Sequence, residues 1–163
     1  HENYLNNTQK LSGQNLKYKD PNTGEEFFPH VVEPTFGVNR TFLAILLSAY
    51  EEEDDRVVLK LNPHIAPYKV AVFPLVANKE ELVKKAKEIY LVLRLKLPTA
   101  WDDRGNIGKR YYAQDEIGTP WCVTIDYQTL EDDTVTVRDR DTMKQERVEI
   151  SNLKSVIDKR LGY

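Results

Sequence analysis

An alternation of strand and helix signals between residues 68 and 161 is the feature that most constrains the fold of this chain. Strands that alternate with helices build parallel sheets covered by helices, whereas two strand signals in direct succession predict an antiparallel hairpin. Both patterns occur here, so we predict an α/β fold with a mixed sheet flanked by helices. The predicted strands are residues 68–73, 99–101, 120–127, 134–138 and 145–150, and the predicted helices are residues 78–93, 107–116 and 151–161.

Two of these helices have start signals. Asn78 followed by Glu81 has the spacing of a capping box, and Ser151 is the predicted N-cap of the last helix. A side-chain oxygen at such a position accepts a hydrogen bond from a free N–H group of the first turn, which fixes where the helix begins.

The first 50 residues have a different pattern. Residues 16–28 predict a β-hairpin, because a turn-forming Asp-Pro-Asn-Thr-Gly sequence separates two short runs, and residues 30–33 predict another strand. Residues 41–52 predict a helix with apolar side chains around most of its circumference, which must therefore pack on several sides. Little else in this part of the chain could supply that packing.

We therefore predict two domains. Residues 1–62 are expected to be an antiparallel-sheet and helix remnant of a larger domain, and residues 63–163 a second domain. The acidic run at 51–55 and the Asn-Pro-His sequence at 62–64 mark the predicted boundary.

The composition narrows the class of protein. A hydrophobic content of 40% and a charged content of 30% are ordinary for a folded soluble domain. No apolar run approaches the roughly 20 residues that cross a bilayer, and no signal-like N-terminus is present. The single cysteine, Cys122, excludes a disulfide within the chain and is predicted to be a buried thiol. These features favour a cytoplasmic protein.

A sharp turn before the apolar helix is a candidate anion site. Gly37 allows close approach of the backbone, the helix N-terminus offers free N–H groups, and Arg40 has a planar guanidinium suited to phosphate oxygens. Pairing of Arg40 with a carboxylate is the structural alternative. Glu33, at the end of an apolar strand signal, is expected to be partly buried and to need a cationic partner, either Arg40 or a ligand amine.

Residues 30–40, HVVEPTFGVNR, resemble the third signature motif of the class II aminoacyl-tRNA synthetases in its glycyl-tRNA synthetase form, V-[VI]-E-P-S-x-G-x-[DG]-R before an apolar helix. Four later segments resemble the C-terminal domain of the same family, in the same order, so that the resemblance covers essentially the whole chain. They are residues 102–111, 115–120, 123–126 and 136–141.

The resemblance implies roles for the motif residues. Arg40 matches the arginine that holds the ATP γ-phosphate, a catalytic contact, and Glu33 matches the acid that receives the ammonium group of glycine. Thr35 stands where serine is usual, and Asn39 where Asp or Gly is more frequent. The implied glycine-binding residues are Glu33, Pro34, Thr35, Phe36 and Gly37, and the implied ATP-binding residues are Gly37, Val38, Asn39 and Arg40.

The resemblance also implies that residues 63–163 are the anticodon-binding domain shared by glycyl, threonyl, prolyl and histidyl synthetases. Single-stranded RNA is recognised by stacking of bases and by contacts to their edges. For Trp101 and Trp121 a core position is the alternative, and for residues 138–141 a solvated ion-pair ladder. The implied anticodon contacts are Trp101, Asp102, Arg104, Lys109, Arg110, Tyr111, Asp115, Arg138 and Arg140.

The function implied is that of a glycine–tRNA ligase, a cytoplasmic homodimer that uses ATP with Mg²⁺, glycine and its tRNA. Motifs 1 and 2 of the family are not found in this chain, so the chain alone is expected to be inactive. His30 and His64 have no companion ligands at metal spacing, so no metal site is expected. Two alternatives remain open: a non-catalytic binding module that resembles an anticodon-binding domain, and another synthetase of the same subclass.

Overall fold

A computed structural model describes residues 4–30 and 32–162 of the chain. Its contacts divide the chain into two compact units, His1–Val38 and Asn39–Tyr163. The first unit contains helix α1 (Tyr4–Ser12) and a two-stranded antiparallel sheet, β1 (Tyr18–Lys19) and β2 (Glu26–Phe27). The predicted hairpin is confirmed: Tyr18 lies opposite Phe27, with their rings edge to face at 5.7 Å.

Two features of the first unit differ from the prediction. Helix α1 is not predicted, because its sequence, YLNNTQKLS, is mostly polar, and in the structure it buries none of its residues. The strand predicted at residues 30–33 is wrong for His30, Val32 and Glu33, while Val31 lies outside the described residues. A strand needs a partner for its backbone hydrogen bonds, and the described sheet of this unit contains β1 and β2 alone.

The second unit contains helix α2 (Val38–Ala49), apart from its first residue, and a hairpin of strands β3 (Tyr50–Glu53) and β4 (Arg56–Leu59). The helix starts three residues before its predicted start and ends at Ala49 instead of residue 52, because Tyr50–Glu53 form a strand of an ordered hairpin. Lys60 pairs with Glu51 and Glu53, and Arg56 pairs with Glu53, so that these ion pairs offset the repulsion among the acids. The predicted domain boundary at residues 62–63 stays a prediction.

The rest of the second unit is a five-stranded mixed sheet of order β6-β5-β7-β8-β9, in which β5, β6 and β7 are parallel and β8 and β9 are antiparallel. This confirms the predicted fold class. The strands are β5 (Val70–Pro74), β6 (Thr99–Trp101), β7 (Trp121–Ile125), β8 (Thr134–Asp139) and β9 (Gln145–Glu149). The helices are α3 (Glu80–Arg94), α4 (Ile107–Ile117), α5 (Tyr127–Asp132) and α6 (Ile150–Leu161).

Helices cover both faces of this sheet. Helices α3 and α6 pack on one face through a continuous apolar core that includes Val72, Val123 and Trp121, so the core alternative for Trp121 is correct. Helix α4 packs on the other face against a smaller cluster that includes Phe73 and Cys122. Cys122 is buried, as predicted, and burial raises the pKa of its thiol well above the ordinary range.

The predicted helix caps are wrong, and other side chains perform this role. Neither Lys79 nor Glu149, the residues at the N-cap positions of α3 and α6, forms a side-chain cap. Helix α6 starts directly after β9 because the Ile150 N–H donates to the Asp133 carbonyl at 3.0 Å. The side-chain caps that do form are Asn106 for α4 and Asp126, in a capping box with Thr129, for α5.

Candidate functional site

The segment predicted to bind glycine, residues 33–37, has irregular backbone and exposed side chains in the first unit. Glu33 is exposed, so the expectation of a partly buried carboxylate is wrong. The physical reason is that the strand predicted to shield it is not formed. Phe36 is 85% exposed, which leaves a large apolar ring in solvent beside the carboxylate segment.

Asn39 and Arg40, from the segment predicted to bind ATP, lie in the first turn of α2 in the second unit. Both side chains are exposed, and Arg40 has no ion-pair partner within the described part of its own unit. Val38 precedes them and is exposed as well. A free guanidinium beside unpaired N–H groups at a helix start is an arrangement that attracts an anion.

Helix α2 uses only one side for packing. Ala49 is buried against Leu61 and Ala66, and Ile45 adds to this cluster. The other apolar side chains of the helix are exposed: Phe42 is 62% and Leu47 69% exposed. The second unit thus leaves a wide apolar face of the helix uncovered, and packing of the helix on several sides stays a prediction.

The C-terminal ends of the parallel strands form the edge of the sheet where several predicted RNA-contacting residues meet. Trp101 is the last residue of β6, Asp102 and Arg104 follow in the loop, and Lys109 lies in the first turn of α4. Open α/β sheets bind ligands at this edge, because the strand ends and the following helix N-termini converge there. We call residues 101–109 the β6–α4 edge.

The exposed charged groups of the β6–α4 edge, Arg104 and Lys109, are cationic. Its two acidic residues, Asp102 and Asp103, are partly buried, and the Asp102 carboxylate is held by hydrogen bonds. The Arg104 side chain is 89% exposed, whereas the Asp102 side chain is 12% exposed. Burial disfavours the Asp102 carboxylate, but hydrogen bonds from the Arg104 backbone and guanidinium, with the charges of Arg104 and Arg110, outweigh burial and lower the pKa of Asp102. Asp102 is therefore an ionised hydrogen-bond acceptor at neutral pH.

Trp101 and Tyr111 are partly buried by aromatic neighbours. The Trp101 ring packs against Tyr90 with a centroid distance of 5.6 Å. The Tyr111 ring lies edge to face with Phe73 at 5.8 Å and has the Arg138 guanidinium over it at 4.8 Å. Its hydroxyl is hydrogen-bonded to the Thr124 hydroxyl at 2.6 Å, and burial raises the pKa of Tyr111. Neighbouring side chains thus cover most of the Tyr111 ring and leave little of it for base stacking.

Four predicted RNA contacts are buried charged residues. Asp115 accepts hydrogen bonds from Arg138 at 2.8 and 2.9 Å and from Arg56 at 2.8 Å. Arg140 donates to the carbonyl oxygens of Gly118 and Leu61 at 2.8 and 3.0 Å. These bonds tie α4 and β8 to the β3–β4 hairpin and its exit, and they use the polar atoms that a base would need.

Burial therefore removes these side chains from the surface that RNA can meet. Arg110, Asp115, Arg138 and Arg140 are 0–4% exposed. The solvated-ladder alternative for residues 138–141 is wrong for the two arginines, because each is held in the interior by acceptors of other segments. Arg110 differs from the other three in its location at the β6–α4 edge, where it contacts the Pro74 carbonyl at the end of β5.

The sheet and its helices match a known protein family. A family model described as "Anticodon binding domain" matches residues 69–160. The chain belongs to the anticodon-binding domain family. This anticodon-binding domain spans all of the five-stranded sheet and most of α6, so the exposed part of the β6–α4 edge lies within the family's own boundaries.

Curated relatives match almost the whole chain. It is 45% identical over 168 residues to a protein named Glycine--tRNA ligase from Clostridium perfringens, an alignment that covers 98% of this chain and 35% of that protein. It is 48% identical over 156 residues to one from Caldanaerobacter subterraneus, with coverage of 93% and 33%. The chain thus spans about a third of the length of the curated relatives it matches.

Solved structures support the fold. A crystal structure of prolyl-tRNA synthetase from Cryptosporidium parvum, complexed with halofuginone and AMPPNP, superposes with a TM-score of 0.73 at 23% identity. That alignment covers 96% of this chain and 32% of the other. At this identity the likeness shows the fold alone. No helix in the described ranges is long and apolar enough to cross a membrane, and those ranges hold no cluster of metal-ligating side chains.

One surface of the anticodon-binding domain was not anticipated from the sequence. Tyr127 follows β7 at the same sheet edge as Trp101 and is 51% exposed. With Leu130 and the start of α3 it lines a cavity of about 370 Å³. The signal that could have found it is an aromatic residue beside an aspartate at both strand ends: β6 ends at Trp101 and is followed by Asp102, and β7 is followed by Asp126-Tyr127.

Proposed function

We propose that this chain is part of a glycine–tRNA ligase and that its anticodon-binding domain contacts the anticodon of glycine tRNA. The observation that carries the proposal is the 45% identity to a glycine–tRNA ligase over 98% of the chain, combined with the family match. The uncovered apolar face of α2 adds support, because a larger protein would bury it.

The β6–α4 edge is the proposed RNA interface. Arg104 and Lys109 are exposed cations that can contact phosphates, and the held carboxylate of Asp102 can accept a hydrogen bond from a base amino group. Unpaired bases can stack on Trp101 of this edge and on Tyr127, which follows β7 at the C-terminal ends of the same parallel strands, each base worth about 1–3 kcal/mol. The combination of cations, aromatic rings and a fixed acceptor is typical of single-stranded RNA sites.

The proposed role of the motif segment belongs to the whole protein. Arg40 would contact the ATP γ-phosphate, supported by its free guanidinium in the first turn of α2. Gly37, Val38 and Asn39 would line the ATP site, and Glu33 to Gly37 the glycine site. Mg²⁺ would accompany ATP, and the whole protein would be a cytoplasmic homodimer. This chain alone is expected to be inactive, because the motif-2 arginine that contacts the α-phosphate is missing from it.

The interface is tested by the salt dependence of tRNA binding. Replacing Arg104 or Lys109 with Ala should weaken binding of glycine tRNA to this chain. It should also lower the slope of log K against log salt by about 0.7 for each phosphate that the variant no longer neutralises. Lys159→Ala is the matched control, because Lys159 is an exposed lysine in the last turn of α6, near the opposite edge. An equal effect of all three substitutions would contradict the proposed location.

The ligase activity is tested on the full-length protein by ATP–pyrophosphate exchange with a series of amino acids. Exchange that depends on glycine and is lost in Arg40→Ala is the expected result. Exchange with another amino acid would favour a different synthetase of the subclass. Failure of exchange with every amino acid would favour the non-catalytic binding module.

A further inference from the structure

Arg110 is a buried cation that forms no direct ion pair among the described residues, although its charge acts on the mostly buried carboxylate of Asp102. The residue is 2% exposed, and it forms no ion pair with a carboxylate in the described parts of the chain. Its guanidinium instead donates to three main-chain carbonyl oxygens: those of Pro74, Arg104 at 3.1 Å and Gly105 at 2.9 Å. Burial of a charge is costly, so an arginine in this position indicates that its fixed set of donors is required.

The three carbonyls belong to two segments, the end of β5 and the loop between β6 and α4. Pro74 is the last residue of β5, and Arg104 and Gly105 lie in the loop that leads to α4. The loop has little packing of its own, since the Arg104 side chain is almost fully exposed and a Cβ at Gly105 would meet no atom within 4 Å. Arg110 is thus the side chain that fastens this loop to the end of the sheet.

We propose that Arg110 is a positioning residue for anticodon recognition: it holds residues 102–106 in the conformation that presents Asp102 and Arg104 to the RNA. The inference rests on the proposed function. Arg110 itself meets no RNA, because its polar atoms are used within the fold. Loss of the Arg110 hydrogen bonds should therefore change the preference among anticodons more than it changes the stability of the fold.

The chain contains a matched control for this role. Arg140 is equally buried and also donates to two main-chain carbonyl oxygens, those of Gly118 and Leu61. Unlike Arg110 it also pairs with a half-exposed carboxylate, that of Asp141. It lies where β8 ends, beside the first residue of β7. That position is at the opposite edge of the parallel strands. Arg110→Lys and Arg140→Lys therefore make the same chemical change at similar burial, and lysine cannot reproduce the planar fork at either site.

The test compares binding of two transcripts, glycine tRNA and the same tRNA with its anticodon replaced, to the 163-residue chain and both variants. The measured quantity is the dissociation constant for the altered tRNA divided by that for glycine tRNA. We expect Arg110→Lys to reduce this ratio about tenfold, the size expected when one base is no longer recognised. Arg140→Lys should lower the melting temperature at least as much but keep the ratio. Hydrogen exchange of amides 103–106 should accelerate in Arg110→Lys alone.

The outcomes separate the inference from the proposed function. If the unchanged chain fails to distinguish the two transcripts, the proposed function is overturned, and the role of Arg110 with it. Suppose instead that the unchanged chain distinguishes the two transcripts. If both variants then change the ratio to the same extent, or if neither variant changes it, Arg110 is a structural residue and only the inference is overturned. Unchanged exchange of amides 103–106 in Arg110→Lys would also overturn it.

Discussion

At the scale of single residues, Asp115 is the buried carboxylate that balances two buried positive charges in the second unit. Its carboxylate is the shared acceptor for two buried guanidinium groups, from Arg56 and Arg138, and its own side chain is fully buried. Removing one member of a buried ion cluster leaves its partners charged and without compensation, which costs much more than loss of a surface pair. The charges in this cluster are therefore structural.

Asp115→Asn, which keeps the shape and removes the charge, should destabilise the chain by about 3–5 kcal/mol. The free energy of unfolding in urea measures this loss. Asp133→Asn is the control, because the Asp133 side chain is 76% exposed in its pair with Lys85. That substitution should change stability by less than about 1 kcal/mol. Similar losses for the two variants would show that the buried cluster is not a distinct source of stability.

At the scale of elements, α4 connects the β6–α4 edge to the β3–β4 hairpin. Its first turns carry Lys109 and Arg110, and its last turns carry Asp115 and end at Gly118. Gly118 has φ +85°, and a Cβ there would lie 2.8 Å from Leu61 Cδ1 and 2.9 Å from the Leu59 carbonyl oxygen. Glycine is required at this helix end for both its conformation and the close approach of the hairpin.

Gly118→Ala should therefore destabilise the chain by more than the left-handed conformation alone explains, about 2–4 kcal/mol in total. Gly162→Ala is the matched control: Gly162 ends α6 with φ +80°, and nothing lies within 4 Å of its Cβ position. That variant should lose only about 1 kcal/mol. Thermal unfolding of both variants measures the difference. Equal losses of stability would show that the close approach of Leu59 and Leu61 to Gly118 has no energetic cost for a Cβ there.

Strand β9 is joined to the start of α5 by the ion pair between Arg147 and Asp126. Burial disfavours the Asp126 carboxylate, but hydrogen bonds from Arg147 and Thr129 outweigh burial and lower its pKa. A carboxyl group with a lowered pKa in the folded state stabilises the fold above its ordinary pKa. That contribution is lost as the pH falls through the lowered value.

Asp126→Asn keeps an oxygen for the α5 cap but loses the charge. At pH 7 it should be less stable than the unchanged chain by about 1–2 kcal/mol, because a charge-assisted hydrogen bond is removed. The difference should shrink below about pH 4 and vanish in stronger acid. Urea unfolding across pH 2–7 tests this, and a difference that stays constant with pH would assign the loss to packing.

The sequence predicted the elements whose signals are local. Strands β5, β7 and β8 are rich in β-branched residues, and their positions match the prediction within a few residues. The β3–β4 hairpin was missed because three successive glutamates disfavour a strand, and the cations that stabilise them, Arg56 and Lys60, are brought to them only when the hairpin forms. Arg104 and Lys109, two of the predicted RNA contacts, are exposed in the structure, and their contact with RNA stays a prediction. The burial of Arg110 and Arg138 could not be predicted, because it depends on acceptors far along the chain.

At the scale of the whole molecule, the proposed function assigns the two ends of the second unit to different substrates of one enzyme. The first turn of α2 is proposed to face ATP, and the β6–α4 edge to face the tRNA anticodon. The relatives extend well beyond the third of their length that this chain matches, and the exposed side of α2 is where the proposed ligase would need further packing.

The most direct test of the central claim is the affinity of this chain for glycine tRNA and for the same tRNA with a replaced anticodon, measured at one fixed salt concentration. Contacts to base edges contribute about 1–3 kcal/mol each, so we predict at least about tenfold tighter binding of the unaltered tRNA. Binding of both should weaken as salt is raised. Equal affinity for the two tRNAs at every salt concentration would contradict the claim that this domain contacts the anticodon.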